Sequence, residues 1–147
     1  MGDPAEAGTR GTRHLSSVEA ARKLYHDFAR GDVEAVLGSL HDDIEWYEAE
    51  GNPYQPDGTP FRGAQEIVEK LFARLAQEWE SFSVAPRSFH ECRNGIVVVE
   101  GRYGGTFRET GRTLDCQVCH VLCYQDGKLR RFQQYVDTAQ LRSVMGA

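Results

Sequence analysis

The second half of the chain limits the fold more than any other feature. From residue 82 onward, strand-forming stretches alternate with short turn signals, and helical periodicity does not return until residue 138. Asn94-Gly95 is a hairpin dipeptide, because both residues accept the positive φ angles of a tight turn. Thr110-Gly111 and Asp126-Gly127 punctuate the run in the same way. The strands between them are expected at 82–90, 96–107, 113–124 and 129–136. Pro86 withdraws a backbone donor from the first, which suits an edge position. Strands joined in sequence by short turns make an antiparallel meander.

The first half reads differently. Ser16-Ser17-Val18-Glu19 matches a capping box, and Val18, Ala21, Leu24, Tyr25 and Phe28 follow at helical spacing until Gly31. Asp32 can cap a second short helix carrying Val33, Val36, Leu37 and Leu40. A strand is expected at 44–48, then a Gly-, Pro- and Asn-rich loop at 49–60. A third helix is expected at 64–79, with Ile67, Val68, Leu71, Phe72 and Leu75 as its apolar stripe. Residues 138–144 form a last short helix. Helices followed by a run of strands give an α+β fold. Its curved antiparallel sheet wraps over three N-terminal helices and encloses a cavity between the layers.

The 147 residues suit one domain, expected at 16–147 behind a flexible tail at 1–15. A net charge of −5 argues against a nucleic-acid partner, which a basic face would attract. No apolar run approaches the roughly 18 residues needed to span a bilayer. The polar, Gly-rich start does not resemble a secretory signal, so a cytoplasmic location is expected. Cys92, Cys116, Cys119 and Cys123 are then expected as free thiols. Cys116-Gln117-Val118-Cys119-His120 matches the haem-attachment pattern in letters only, because the segment reads as a strand within the meander. Strand alternation also points Cys119 away from Cys116 and His120, so no metal site is expected there.

Several segments resemble one family. Ala29-Arg30-Gly31-Asp32, Asp42-Asp43-Ile44-Glu45-Trp46 and Phe61-Arg62-Gly63 are similar to the opening motifs of SnoaL-like proteins. The stretch from His120 to Leu129, with Phe132-Gln133-Gln134-Tyr135-Val136-Asp137-Thr138, is similar to their last hairpin. The resemblance covers about residues 18–141. It implies the nuclear transport factor 2 fold, a conical α+β barrel, and a homodimer joined through the outer face of the sheet. That fold hosts ketosteroid isomerase, polyketide cyclases, dehydratases and proteins without chemistry, so function rests on the site.

The sharpest candidate pair is His120 with Asp137. If Asp126-Gly127 is a two-residue turn, His120 faces Gln133, Val118 faces Tyr135 and Cys116 faces Asp137, all on one face. A type I turn with a glycine bulge shifts the register by one and separates His120 from Asp137. On the first reading Asp137 is an acid–base whose pKa rises in an apolar cone, and His120 orients the substrate. The SnoaL cyclases are similar, with an aspartate in the last strand and a histidine nearby. On the second reading Asp137 caps the helix beginning at Thr138, and His120 is a hydrogen-bonded core residue. Trp46 and Glu48 lie two apart and point the same way, as pocket floor and second carboxylate, or as core packing and a solvated strand end. Tyr25 and Tyr54 offer hydroxyls from the wall and lid, and Tyr135 completes the substrate-binding set; Tyr25 also reads as an apolar-face residue. These residues suggest a cofactor-free cyclase, isomerase or dehydratase acting on a small apolar carbonyl compound. A non-catalytic ligand-binding domain of the same fold is the alternative.

Overall fold

Two helix caps form where the sequence places them. The computed structural model of the protein describes residues 15–147. Of the expected tail only Leu15 falls among them, and it is exposed. Ser16 Oγ accepts the Glu19 N–H at 3.2 Å and opens helix α1, Ser17–Ala29. Asp32 accepts the Ala35 N–H at 3.1 Å and opens α2, Val33–Gly38. Strand β1, Leu40–Tyr47, starts earlier than expected and absorbs residues read as a break. A two-residue strand β2, Phe61–Arg62, too short for any periodic signal, pairs antiparallel with it.

The third helix is interrupted. It comprises α3, Gly63–Ile67, a π-helical turn at Val68–Phe72, and α4, Ala73–Glu78. Ile67 and Leu71 on this helix are buried, while Trp79 has left it to begin the next strand. The meander follows as β3, Trp79–Glu91, β4, Ile96–Phe107, β5, Thr113–Gln125, and β6, Lys128–Val136. Helix α5, Thr138–Met145, ends the chain.

The strand order is β2-β1-β6-β5-β4-β3. Strands β3 to β6 are antiparallel neighbours, and β3 with its Pro86 lies at an edge, as the sequence implies. The expectation of a wholly antiparallel barrel needs two corrections. β6 inserts beside β1 and runs parallel to it, so the sheet is mixed. The sheet is also open, with β2 and β3 as its edges. Hairpin signals report neighbours in sequence; the β1–β6 pairing joins distant segments and leaves no local mark.

The concave face packs on the helices through one cluster that includes Ile44, Leu122 and Leu129, each fully buried. A second cluster around Trp79, Phe107 and Leu114 is closed by Leu141 and Val144 of α5. Burying each large aliphatic side chain contributes about 1.5–3 kcal/mol. Among the described residues no helix is long and apolar enough to cross a membrane.

One close approach of backbones fixes the β3–β4 pair. A Cβ at Gly101 would lie 2.5 Å from the Ala85 carbonyl oxygen and 3.0 Å from Pro86 Cα, next to the register shift between Pro86 and Ser88. Backbone atoms cannot swing aside as a side chain can. Gly101→Ala is therefore expected to lower stability by about 1–3 kcal/mol, read as a fall in the urea midpoint. An unchanged midpoint would show that β3 yields freely at this position.

Candidate functional site

An apolar cavity of about 70 Å³ lies between the helices and the concave face of the sheet. Its aromatic wall is assembled across strands. Trp46 of β1 stacks on Phe132 of β6 with ring centroids 3.7 Å apart, and these residues are direct partners in the parallel ladder. Phe72 from the π-helical turn meets Trp46 edge-on at 5.7 Å. Into this wall project His120, Glu48 and the tyrosines 25, 54 and 103.

His120 sits on β5 among the inward-facing residues Cys116, Val118 and Leu122. Both of its ring nitrogens are occupied. Tyr25 Oη lies 2.5 Å from Nδ1 and Tyr103 Oη lies 2.6 Å from Nε2. Burial drives the imidazole pKa down to about 3, so the ring is neutral across the physiological range. The same burial raises the Tyr25 and Tyr103 hydroxyls well above their ordinary values, and Glu48 adds to the rise at Tyr103. His120 is thus a relay between two hydroxyls and carries no free base.

Glu48 is the titratable group left for proton transfer. It follows the last residue of β1 and is turned inward by the loop beyond it. Gln55 Oε1 accepts the Glu48 N–H at 2.9 Å while Gln55 Nε2 donates to the Trp46 carbonyl at 2.8 Å, which pins the loop to the strand end. Glu48 is 8 % exposed, and its Oε2 has no hydrogen-bond partner. Burial pushes its pKa up to about 8, and the nearby Trp46 indole N–H, which favours the ionised form, opposes the shift. The expectation of a solvated strand-end carboxylate is overturned, and the inward alternative holds.

Tyr54 also reaches the cavity, but its hydroxyl is committed. It donates to Glu78 at 2.9 Å and accepts from Trp79 Nε1 at 2.8 Å, joining the long loop to the start of β3.

Two expected site residues stand elsewhere. Asp137 is exposed and caps α5, its Oδ1 accepting the Gln140 N–H at 3.0 Å. Tyr135 is 57 % exposed on the outer face of the sheet. One register step separates them from His120. Asp126 and Gly127 both take positive φ, and Gln125 pairs with Lys128, so the turn is the two-residue form. The slip occurs inside β6. Tyr124 pairs with Leu129 but Cys123 pairs with Arg131, leaving Arg130 as a bulge. His120 consequently faces Gln134 instead of Gln133, and the side chains that follow change sides. Arg130 reaches across to the Asp43 carbonyl, where β1 has its own irregularity.

Tyr103, Gln134 and Asn52 were not singled out by sequence, although all three are buried at the site. Alternation from Val97 and Val99 puts Tyr103 on the inner face, a signal that was available. Gln134 becomes inward only after the bulge, and Asn52 lies in an irregular loop. Cys116 faces inward and Cys119 outward, so the two cysteines of the haem-like pattern lie on opposite faces. No cluster of three or more His, Cys, Asp or Glu groups among the described residues is arranged to hold a metal.

A family model described as SnoaL-like domain matches residues 21–132. The chain is 31% identical to an NTF2-like protein from Burkholderia thailandensis, over 89% of this chain and 98% of that one, with a TM-score of 0.83. It is 28% identical to TerC, crystallised with polyporic acid, over 90% of this chain and 100% of that one, with a TM-score of 0.79. A candidate polyketide cyclase from Pseudomonas putida shares the fold at 15% identity and a TM-score of 0.73, over 88% of this chain and 98% of that one. No curated protein matches the chain.

The buried carboxyl makes stability depend on pH with a definite sign. Below about pH 4.5 Glu48 is protonated in both the folded and unfolded states. Between there and about pH 8 only the unfolded chain releases the proton, so stability falls as pH rises and then levels off. His120 acts in the opposite sense, losing stability as pH falls from about 6.5 toward 3. Comparison with Glu48→Gln cancels the histidine contribution. The stability of the variant relative to the native protein is expected to rise between pH 5 and 8, by at most about 4 kcal/mol at ~1.4 kcal/mol per pKa unit. Urea unfolding at the two pH values measures it, and a flat difference would place an ionised Glu48 in the folded state.

Proposed function

Because this chain belongs to the SnoaL-like domain family, we propose that its cavity performs acid–base chemistry on a small, largely apolar carbonyl compound. The activity is that of a cyclase, isomerase or dehydratase in which the protein's own groups carry the proton. The observation supporting this most strongly is a buried carboxyl, with no hydrogen-bond partner at Oε2, in an aromatic pocket beside a hydroxyl chain. A carboxyl that titrates near 8 accepts and returns protons near neutral pH.

The carboxylate form of Glu48 takes a proton from the carbon next to the carbonyl. The C–H electron pair moves into the new C=C bond and negative charge gathers on the carbonyl oxygen. The Tyr25 hydroxyl, backed by His120, donates to that oxygen and holds the charge. Protonated Glu48 then returns the proton, to another carbon in an isomerisation or to a departing hydroxyl in a dehydration. Trp46 and Phe132 hold the apolar body of the substrate. Asp137, committed to its cap, takes no part. The TerC complex with polyporic acid is consistent with an organic ligand in this cavity.

A non-catalytic binding domain is the second reading. It is favoured by the small cavity volume and by the occupation of both His120 nitrogens. Turnover separates the two. Against a panel of aryl ketones, Glu48→Gln is expected to lose about 10²–10⁴-fold in kcat/KM, while Asp137→Asn keeps native rates because Asn caps equally well. The kcat/KM profile should bend near pH 8. Native turnover in Glu48→Gln would remove the carboxyl from the mechanism.

Assembly and location are part of the same proposal: a cytoplasmic homodimer formed through the outer face of the sheet, where Tyr135 is exposed. Sedimentation is expected to give twice the 16.5 kDa chain mass. A monomer alone at tens of micromolar, roughly the range of a weak dimer, would contradict it.

A further inference from the structure

We propose that Gln134 and Asn52 are positioning residues that fix His120 as its Nδ1–H tautomer and leave the Tyr25 hydroxyl proton facing the cavity. The inference starts from backbone amides, whose direction cannot reverse. The Tyr54 N–H donates to Asn52 Oδ1 at 2.9 Å, so the Asn52 Nδ2 must be a donor toward its other partner. That partner is Gln134 Oε1, at 2.9 Å, which also accepts the Ala49 N–H at 3.2 Å. Flipping Gln134 would set its amide hydrogens against two donors. Its Nε2 is therefore committed to donate, and it donates to Tyr103 Oη at 2.9 Å.

Tyr103 Oη makes two bonds, with Gln134 and with His120 Nε2. Having accepted from one, it gives its proton to the other. Nε2 is then an acceptor, so a neutral ring carries its proton on Nδ1 and donates to Tyr25 Oη. The opposite direction would make Tyr103 Oη accept twice and strand its own proton at a fully buried hydroxyl. The forward chain makes every middle group both donor and acceptor, and successive links then polarise one another. Along this run of ring and hydroxyl groups, the proton left without an acceptor is that of Tyr25, which lines the cavity.

This deepens the acid–base reading and rests on it for its consequence: the pocket offers a donor at Tyr25, so the substrate must present an acceptor oxygen there. The tautomer itself needs no substrate to be observed. A long-range proton–nitrogen correlation spectrum of the ¹⁵N-labelled, ligand-free protein at pH 7 reads which ring nitrogen of His120 bears hydrogen. Nδ1 is expected protonated and Nε2 bare, by about ten to one or better, the ratio that one net hydrogen bond of preference supplies. Hydrogen on Nε2, or on both nitrogens, would overturn the proposal. Gln134→Met removes the committed donor and should bring the two tautomers to within about threefold of each other, since only residual preferences remain. An unchanged tautomer in the folded variant would also overturn it. If Gln134→Met does not fold, Gln134→Leu, which removes the same donor with a shorter apolar side chain, is read in the same way. Retained turnover in Glu48→Gln together with an Nδ1–H ring would refute the acid–base reading alone. Lost turnover together with an Nε2–H ring would refute this inference alone.

Discussion

The last strand has to satisfy two neighbours that run in different directions. β6 pairs antiparallel with β5 on one side and parallel with β1 on the other. The two hydrogen-bond patterns have different spacing, and the mismatch is absorbed where β6 bulges at Arg130 and β1 is irregular between Leu40 and Glu45. Everything at the site depends on this junction. It sets Trp46 against Phe132, turns Gln134 inward beside His120, and leaves Tyr135 on the outer face. It also delivers Asp137 to the start of α5, where its carboxylate meets the orphan amides of a helix terminus.

Within the cavity, polar groups survive by two routes. The hydroxyls of Tyr25 and Tyr103, the imidazole and the amides of Gln134 and Asn52 bond one another in a continuous chain, which makes their burial tolerable. Glu48 follows the other route and remains neutral over much of the ordinary pH range. The two solutions divide the labour. On the acid–base reading proposed above, the hydrogen-bonded chain is the part that stabilises charge on a ligand oxygen. On the same reading, the Glu48 carboxyl is the group that exchanges a proton with a ligand.

The long loop between β1 and β2 holds these parts in place although it contains no regular structure. Gln55 ties it to the end of β1, Asn52 to β6, and Tyr54 to Glu78 and Trp79. Such side-chain ties replace the backbone ladder a strand would have provided. A change in the loop is thereby felt at Glu48, which Gln55 holds, and at His120, because the Asn52 end of the polar network lies there.

The sequence by itself determined the α+β class, the helix caps at Ser16 and Asp32, the meander with its turns, and the edge position of β3. Each is a local matter, decided by neighbouring residues through capping, turn geometry and alternation. It also brought Tyr25, Trp46, Glu48, Tyr54 and His120 forward as candidates, and all five line the cavity. Tertiary structure decided the rest. The β1–β6 pairing joins residues far apart in the chain, and the bulge at Arg130 answers that pairing, so neither has a local signature. Because side chains alternate with a period of two, that one inserted residue moved Asp137 and Tyr135 away from His120 and put Gln134 in their place. Whether Glu48 was a solvated strand end or a buried acid depended likewise on Gln55, seven residues away, folding back onto the strand.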